Sequence, residues 1–205
     1  RGVEHGMRQV GGGGRASVPS FMPDADIARI SGAWDGERRL RGRTIIVLLV
    51  RVGLRAGEVG RISFDDIDWR QGSIRLCGKG RREELLPLTQ EIGDALLAYI
   101  ERGRPALATR FLFITEYAPL RPIDRITVKD LVKRALKRGG VESRQKGAHI
   151  LRHSAATAML RHGVSLPGVS TVLRHRSQAM TAHYAKVDIA LLSAIAQPWP
   201  GRSPC

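Results

Sequence analysis

Apolar residues run along this chain in stretches whose spacing changes character several times, and each change marks an element. Asp24 or Asp26 is placed to cap a first helix through Arg29 and Ile30. Residues 40–52 are apolar almost all round, a pattern that periodicity alone fits to a buried helix or a buried strand. Arg39, Arg43 and Arg51 recur at roughly four-residue spacing, which favours the helix. Across residues 62–88 the pattern shortens to β segments. Ile74 and Leu76 alternate with polar neighbours, Gly78-Lys79-Gly80 reads as a turn, and Pro87 ends the return strand. Residues 89–102 go back to helical spacing, with Ile92, Leu96, Leu97 and Ile100 on one face. Residues 111–114 fit a brief strand or an extended loop.

Two longer helices come next. Residues 126–138 carry a basic outer face and stop at Gly139-Gly140, and residues 149–162 stop at Gly163. Shorter helical pieces are expected at 166–174, 178–186 and 188–196, before Pro198 and Pro200 end regular structure. The fold class is therefore mainly α with a small antiparallel β-sheet, α+β, and no internal repeat. Residues 1–23, with four glycines at 11–14, read as a flexible tail or linker; 24–196 form one domain and 197–205 a C-terminal tail. The glycine run has neither a following Lys-Ser or Lys-Thr nor a preceding strand, so it does not fit a phosphate-cradling loop. Arg at position 1 sets the expectation that the chain is a piece of something longer.

Charge changes the picture most. The 205 residues hold 34 Lys and Arg against 19 Asp and Glu, a net of +15. Residues 121–186 alone hold 14 basic and 3 acidic residues, so most of the excess sits in one third of the chain. Such a concentration suits a polyanion, nucleic acid before membrane, although a high charge also serves solubility. The longest aliphatic run, residues 45–50, is too short to cross a bilayer. Two cysteines, Cys77 and Cys205, exclude a disulfide framework and a thiolate zinc site, and make a reducing cytoplasm the default compartment.

Four local patterns carry candidate chemistry. Arg55 follows a glycine break, with Glu58 three residues on; a structural ion pair at helical spacing is the plain alternative. Lys79 stands between two glycines at a turn, where an exposed lysine is common. His149 and Arg152 share a helix face. His149 and His153 stand four apart, but Ile150 occupies the place where a metalloprotease helix carries its Glu, so zinc is rejected. Last come Arg174-His175 and Thr181-Ala182-His183-Tyr184, where Tyr184 taken alone reads as a core aromatic.

Taken in order, Arg55, Lys79, His149, Arg152, His175 and Tyr184 resemble the active site of the tyrosine recombinases, the phage integrase family. That family shows an Arg with a trailing Glu, a hairpin Lys, His-x-x-Arg, a His after a leucine-glycine pair, and a Tyr nine residues later. The resemblance runs from about residue 24 to 196. It implies a site-specific recombinase or integrase domain that breaks and rejoins double-stranded DNA through a 3′-phosphotyrosyl link, with no cofactor, metal or ATP. In that reading Tyr184 is the nucleophile and Arg55 and Arg152 hold the phosphate. Lys79 protonates the leaving 5′-oxygen, His149 accepts the tyrosine proton, His175 bonds the phosphate and Glu58 orients its neighbours. Segment 188–196, apolar at Ile189, Leu191, Leu192 and Ile195, either closes its own core or docks on a second protomer. Two departures stand out. Arg174 replaces the family's usual Gly, which would crowd a positive-φ turn and add a cation beside the phosphate pocket. Residues 1–23 also cannot supply the family's N-terminal DNA-clamping domain. A DNA-binding remnant without recombination activity, or a DNA-relaxing enzyme like the type IB topoisomerases, are the alternatives.

Overall fold

A computed structural model describes residues 22–34, 39–77, 83–142 and 147–174. Lys79, His175 and Tyr184, and the expected pieces 178–186 and 188–196, lie outside the described residues. The described elements are α1 (Asp24–Gly32), α2 (Leu40–Arg51), α3 (Ala56–Val59), β1 (Ile67–Asp68), β2 (Ser73–Cys77), β3 (Glu83–Pro87), α4 (Gln90–Ala98), α5 (Arg125–Arg138), α6 (Ala148–Arg161) and α7 (Leu166–Leu173). Mainly α with one small antiparallel sheet is what the sequence pattern implied. Among the described residues, no helix is long and apolar enough to cross a membrane.

The all-round apolar segment is a helix at the centre. Between Leu40 and Val50 every residue of α2 except Arg43 is buried, and α1, α4, α5 and α6 pack around it. Each aliphatic side chain enclosed there contributes roughly 1.5–3 kcal/mol over an exposed one. Arg41 is enclosed with them, because the Ile114 carbonyl (2.7 Å) and Glu116 (3.2 Å) receive its guanidinium. Gly42 lets the Trp34 ring lie directly on α2, since a Cβ there would stand 2.0 Å from the indole Cε3. Gly42→Ala is therefore expected to destabilise the fold by about 1–3 kcal/mol, read as a lower urea midpoint. An unchanged midpoint would mean that Trp34 repacks freely.

Three strands run in the order β1-β2-β3, all antiparallel, with Ile74 opposite both Ile67 and Leu86. Alternation puts Ile74, Leu76 and Leu86 against the core and leaves Leu85 outside. Residues 111–114 form an extended loop held by isolated bridges from Phe111 to Ser63 and from Ile114 to Pro122.

Two sequence expectations need correction. Pro23, not an aspartate, stands at the N-cap of α1, and no side chain caps it; Asp24 and Asp26 lie in the first turn, where Asp26 pairs with Arg29. In residues 89–102 the α-helix stops at Ala98 and continues as a single π-helical turn, Tyr99–Gly103. Within the α-helical part Leu97 faces solvent, not the shared face expected of it, while Ala95 and Tyr99 join Ile92 and Leu96 in the core. The Tyr99 ring stacks on Phe113, and its hydroxyl accepts from the Ile114 amide at 3.2 Å.

Candidate active site

The central helix delivers the first candidate arginine. Beyond α2 the chain turns at Gly53, whose φ of +64° is a left-handed value that a side chain would resist. A Cβ would also come within 2.5 Å of the Leu173 Cδ2 methyl, which would have to shift. Residue 55 is extended (φ −79°, ψ 146°) and begins the short helix α3. Glu58 then reaches back. One carboxylate oxygen accepts from the Arg55 amide at 2.7 Å and the other from its guanidinium at 2.8 Å. The ion pair at helical spacing is thus real, and it orients Arg55 rather than consuming it: the arginine side chain stays 39% exposed.

Glu58 itself is buried and shared. The Arg174 Nη2 donates at 2.7 Å to Oε2, the oxygen that also accepts from the Arg55 amide. Burial pushes the Glu58 carboxyl up, but the Arg174 charge and the Arg55 bonds outweigh this and hold it below its ordinary value. The carboxylate therefore stays charged across the neutral range. The expectation that Arg174 adds a cation beside the pocket is wrong, because its guanidinium is turned inward onto Glu58 and Glu84. The turn expected of a glycine is present, with Arg174 at φ 55°.

α6 supplies the second wall. It starts at Gly147 (φ 107°), so His149 stands exposed in its first turn and Arg152, one turn later, is buried. The Arg152 Nη1 donates to the Gly53 carbonyl at 2.5 Å, and its Nη2 to the Leu173 carbonyl. Part of the planar fork expected to meet a phosphate thus ties the turn after α2 to the end of α7. Arg55 does likewise through Nη2, which donates to the Arg174 carbonyl at 2.9 Å. His175 is the next residue in the chain.

Arg55, His149 and Arg152 line one cleft of about 480 Å³. Three cations that sequence reasoning left out of the site join them: Arg125, Lys129 and Lys133, at four-residue steps along α5. Among the described lining residues, Asp130 is the one carboxylate. The signal for the α5 residues was the basic face of residues 126–138, whose spacing puts 125, 129 and 133 in one row. Such an arrangement can hold a doubly ligated phosphate oxygen pair between two guanidiniums, with further cations for neighbouring phosphates.

The phage integrase family pattern matches residues 20–190. An integrase/recombinase-named protein of Sinorhizobium fredii, y4gC, is 43% identical over 189 residues, covering 90% of this chain and 97% of its own length. A second from the same organism, y4rA, is 40% identical over 191 residues, 92% of this chain but 46% of its own. Tyrosine recombinase XerD of Proteus mirabilis is 34% identical over 160 residues, 77% of this chain and 51% of that protein. The chain thus spans about half of y4rA and of XerD, and nearly all of y4gC. In fold it is similar to the XerA recombinase crystal structure, with a TM-score of 0.76 at 21% identity over 89% of this chain and 65% of that one. XerH recombinase, in a post-cleavage complex with its palindromic difH substrate, gives 0.73 at 22% identity over 87% and 53%.

Proposed function

The chain belongs to the phage integrase family, and on that premise we propose that it is the catalytic domain of a DNA strand-transfer enzyme working through Tyr184. The observation that carries this reading is the convergence of Arg55 with His149 and Arg152, from segments about a hundred residues apart, on one strongly basic cleft.

The Tyr184 oxygen attacks a backbone phosphorus, forming a phosphotyrosyl ester at the 3′ side, while the bond from phosphorus to the 5′-oxygen breaks. His149 takes the phenolic proton and Lys79 gives one to the departing 5′-oxygen, so the charge balances without an alkoxide. Rejoining runs the same steps backwards from a 5′-hydroxyl, and the phosphoester bond energy is conserved with neither ATP nor metal. Arg55 and Arg152 carry the extra negative charge of the five-coordinate transition state on its nonbridging oxygens. His175 adds a hydrogen bond there, and Glu58 keeps Arg55 aimed. Arg125, Lys129 and Lys133 grip flanking phosphates, so binding weakens steeply with salt. Double-stranded DNA is the partner. Docking of segment 188–196 on a neighbouring protomer, and residence on cytoplasmic DNA, belong to the same reading.

A pool of nicked duplexes with randomised sequence, incubated with the chain in EDTA, tests it. A covalent protein–DNA band is expected, and its absence from every duplex defeats the catalytic reading in favour of a DNA-binding remnant. Relaxation of supercoils without sequence preference would instead mark the topoisomerase-like alternative. Lys79→Ala should slow this cleavage by about 100–10,000-fold, the range of general acids. Replacing the 5′-bridging oxygen by sulfur, which leaves without a proton, should restore most of the rate. Equal defects on oxygen and sulfur substrates would remove Lys79 from its role.

A further inference from the structure

Arg174 occupies a position where its backbone works against it. Its φ of 55° and ψ of 51° put it in the left-handed region, which a residue with a Cβ enters at a cost. Such a conformation persists where surrounding contacts over-determine it. Here they belong to a side chain that is almost wholly enclosed. The guanidinium donates to Glu58 at 2.7 Å and to the Val172 carbonyl at 3.1 Å, and its Nε faces the Glu84 carboxylate at 3.6 Å. The Nε of Arg174 and the Oε2 of Glu84 are both buried and neither has a hydrogen bond, so a shift of a few tenths of an ångström satisfies both. Glu84 belongs to β3 and pairs with Leu76 of β2, on the strands that lead into and out of residues 78–82.

One guanidinium therefore meets three separate parts of the chain: the end of α7, the carboxylate that orients Arg55, and the sheet. We propose that Arg174 is a positioning residue that clamps β3, through Glu84, to the Arg55–Glu58 pair and so fixes where the β2–β3 strands stand relative to the cleft. Its consequence for cleavage rests on the strand-transfer reading above; its mechanical part does not. A side chain merely tolerated in a glycine turn makes the opposite forecast, because Arg174→Gly would then only relieve the backbone.

Cys77, exposed at the end of β2, gives a direct readout. The full chain, with Cys205→Ser, takes a nitroxide label there, and thermal melts establish that each variant is folded. Arg174→Gly and Glu84→Gln are each expected to raise label mobility, and the double variant to match the singles rather than add to them. Glu84→Gln keeps the size of a one-third exposed side chain, so it decides the question even if Arg174→Gly fails to fold. Unchanged spectra, or additive effects, overturn the clamp. On the nicked-duplex pool the same variants should cleave roughly 10–100-fold more slowly at unchanged DNA affinity, the scale of a small misplacement. A wild-type chain that forms no adduct defeats the catalytic reading, while the label measurement still decides the clamp.

Discussion

Tyr184→Phe is expected to abolish the covalent protein–DNA adduct and leave DNA affinity nearly unchanged. The substitution removes one oxygen and keeps the ring, so the phosphate grip of the basic cleft survives while the attacking atom is gone. The chain has three tyrosines, and the other two are poorly suited. Tyr99 is fully enclosed, its hydroxyl bonded by the Ile114 amide, and burial pushes its pKa above the ordinary value. Tyr117 is 81% exposed on a loop that does not contribute to the cleft lining. A phenol with an ordinary pKa of about 10 is a weak nucleophile at neutral pH, so it needs the base and positive field that this cleft concentrates. Denaturing gels with a labelled nicked strand make the comparison. An adduct that persists in the Phe variant would move the nucleophile elsewhere.

Arg152→Lys should lower single-turnover cleavage by about 100–1000-fold, the loss seen when a preorganised donor to a developing oxyanion is deleted. Lysine keeps the charge but replaces a planar fork by a point donor. At this position the fork also spans two carbonyls, Gly53 on one side and Leu173 on the other. One ammonium cannot hold both, and each bond from a charged group contributes about 1.5–3 kcal/mol. The variant should therefore melt earlier as well as cut more slowly. Arg55→Lys, at a side chain 39% exposed, should show the kinetic loss with a smaller loss of stability. Rates are compared below the melting range of each variant. Wild-type cleavage by Arg152→Lys would leave Arg152 a purely structural residue.

Periodic segments were the legible part of this fold. α5 and the β2–β3 strands are set by local spacing, because each buries a face whose pattern is written in consecutive residues, whereas α2, apolar almost all round, is helical by the spacing of Arg39, Arg43 and Arg51. The π-helical turn at Tyr99–Gly103 was not legible, because its i to i+5 bonding leaves no mark in the spacing of apolar residues. Within the site, Arg55, His149 and Arg152, named from the ordered set of motifs, line one cleft. The α5 helix was legible as carrying a basic outer face, but not that Arg125, Lys129 and Lys133 line the cleft, since that depends on how α5 packs beside α3 and α6. Arg174 was read as a cation added beside the phosphate pocket, and its inward pairing was not legible. Its partners Glu58 and Glu84 are distant in the chain, and only the packed structure brings them to it.

The enclosure of α2 has a consequence for how the site survives fluctuation. Its residues are buried on nearly every side, so its amides are expected to exchange with solvent deuterium only through openings close to global unfolding. Gly53 and Arg55 come within four residues of its end. The first arginine of the cleft thus hangs from a segment expected to exchange slowly, whereas the short α3 and the edge strand β3 are expected to open more readily. Partial opening of the periphery leaves that arginine anchored, and the cleft reassembles on a fixed point rather than folding anew.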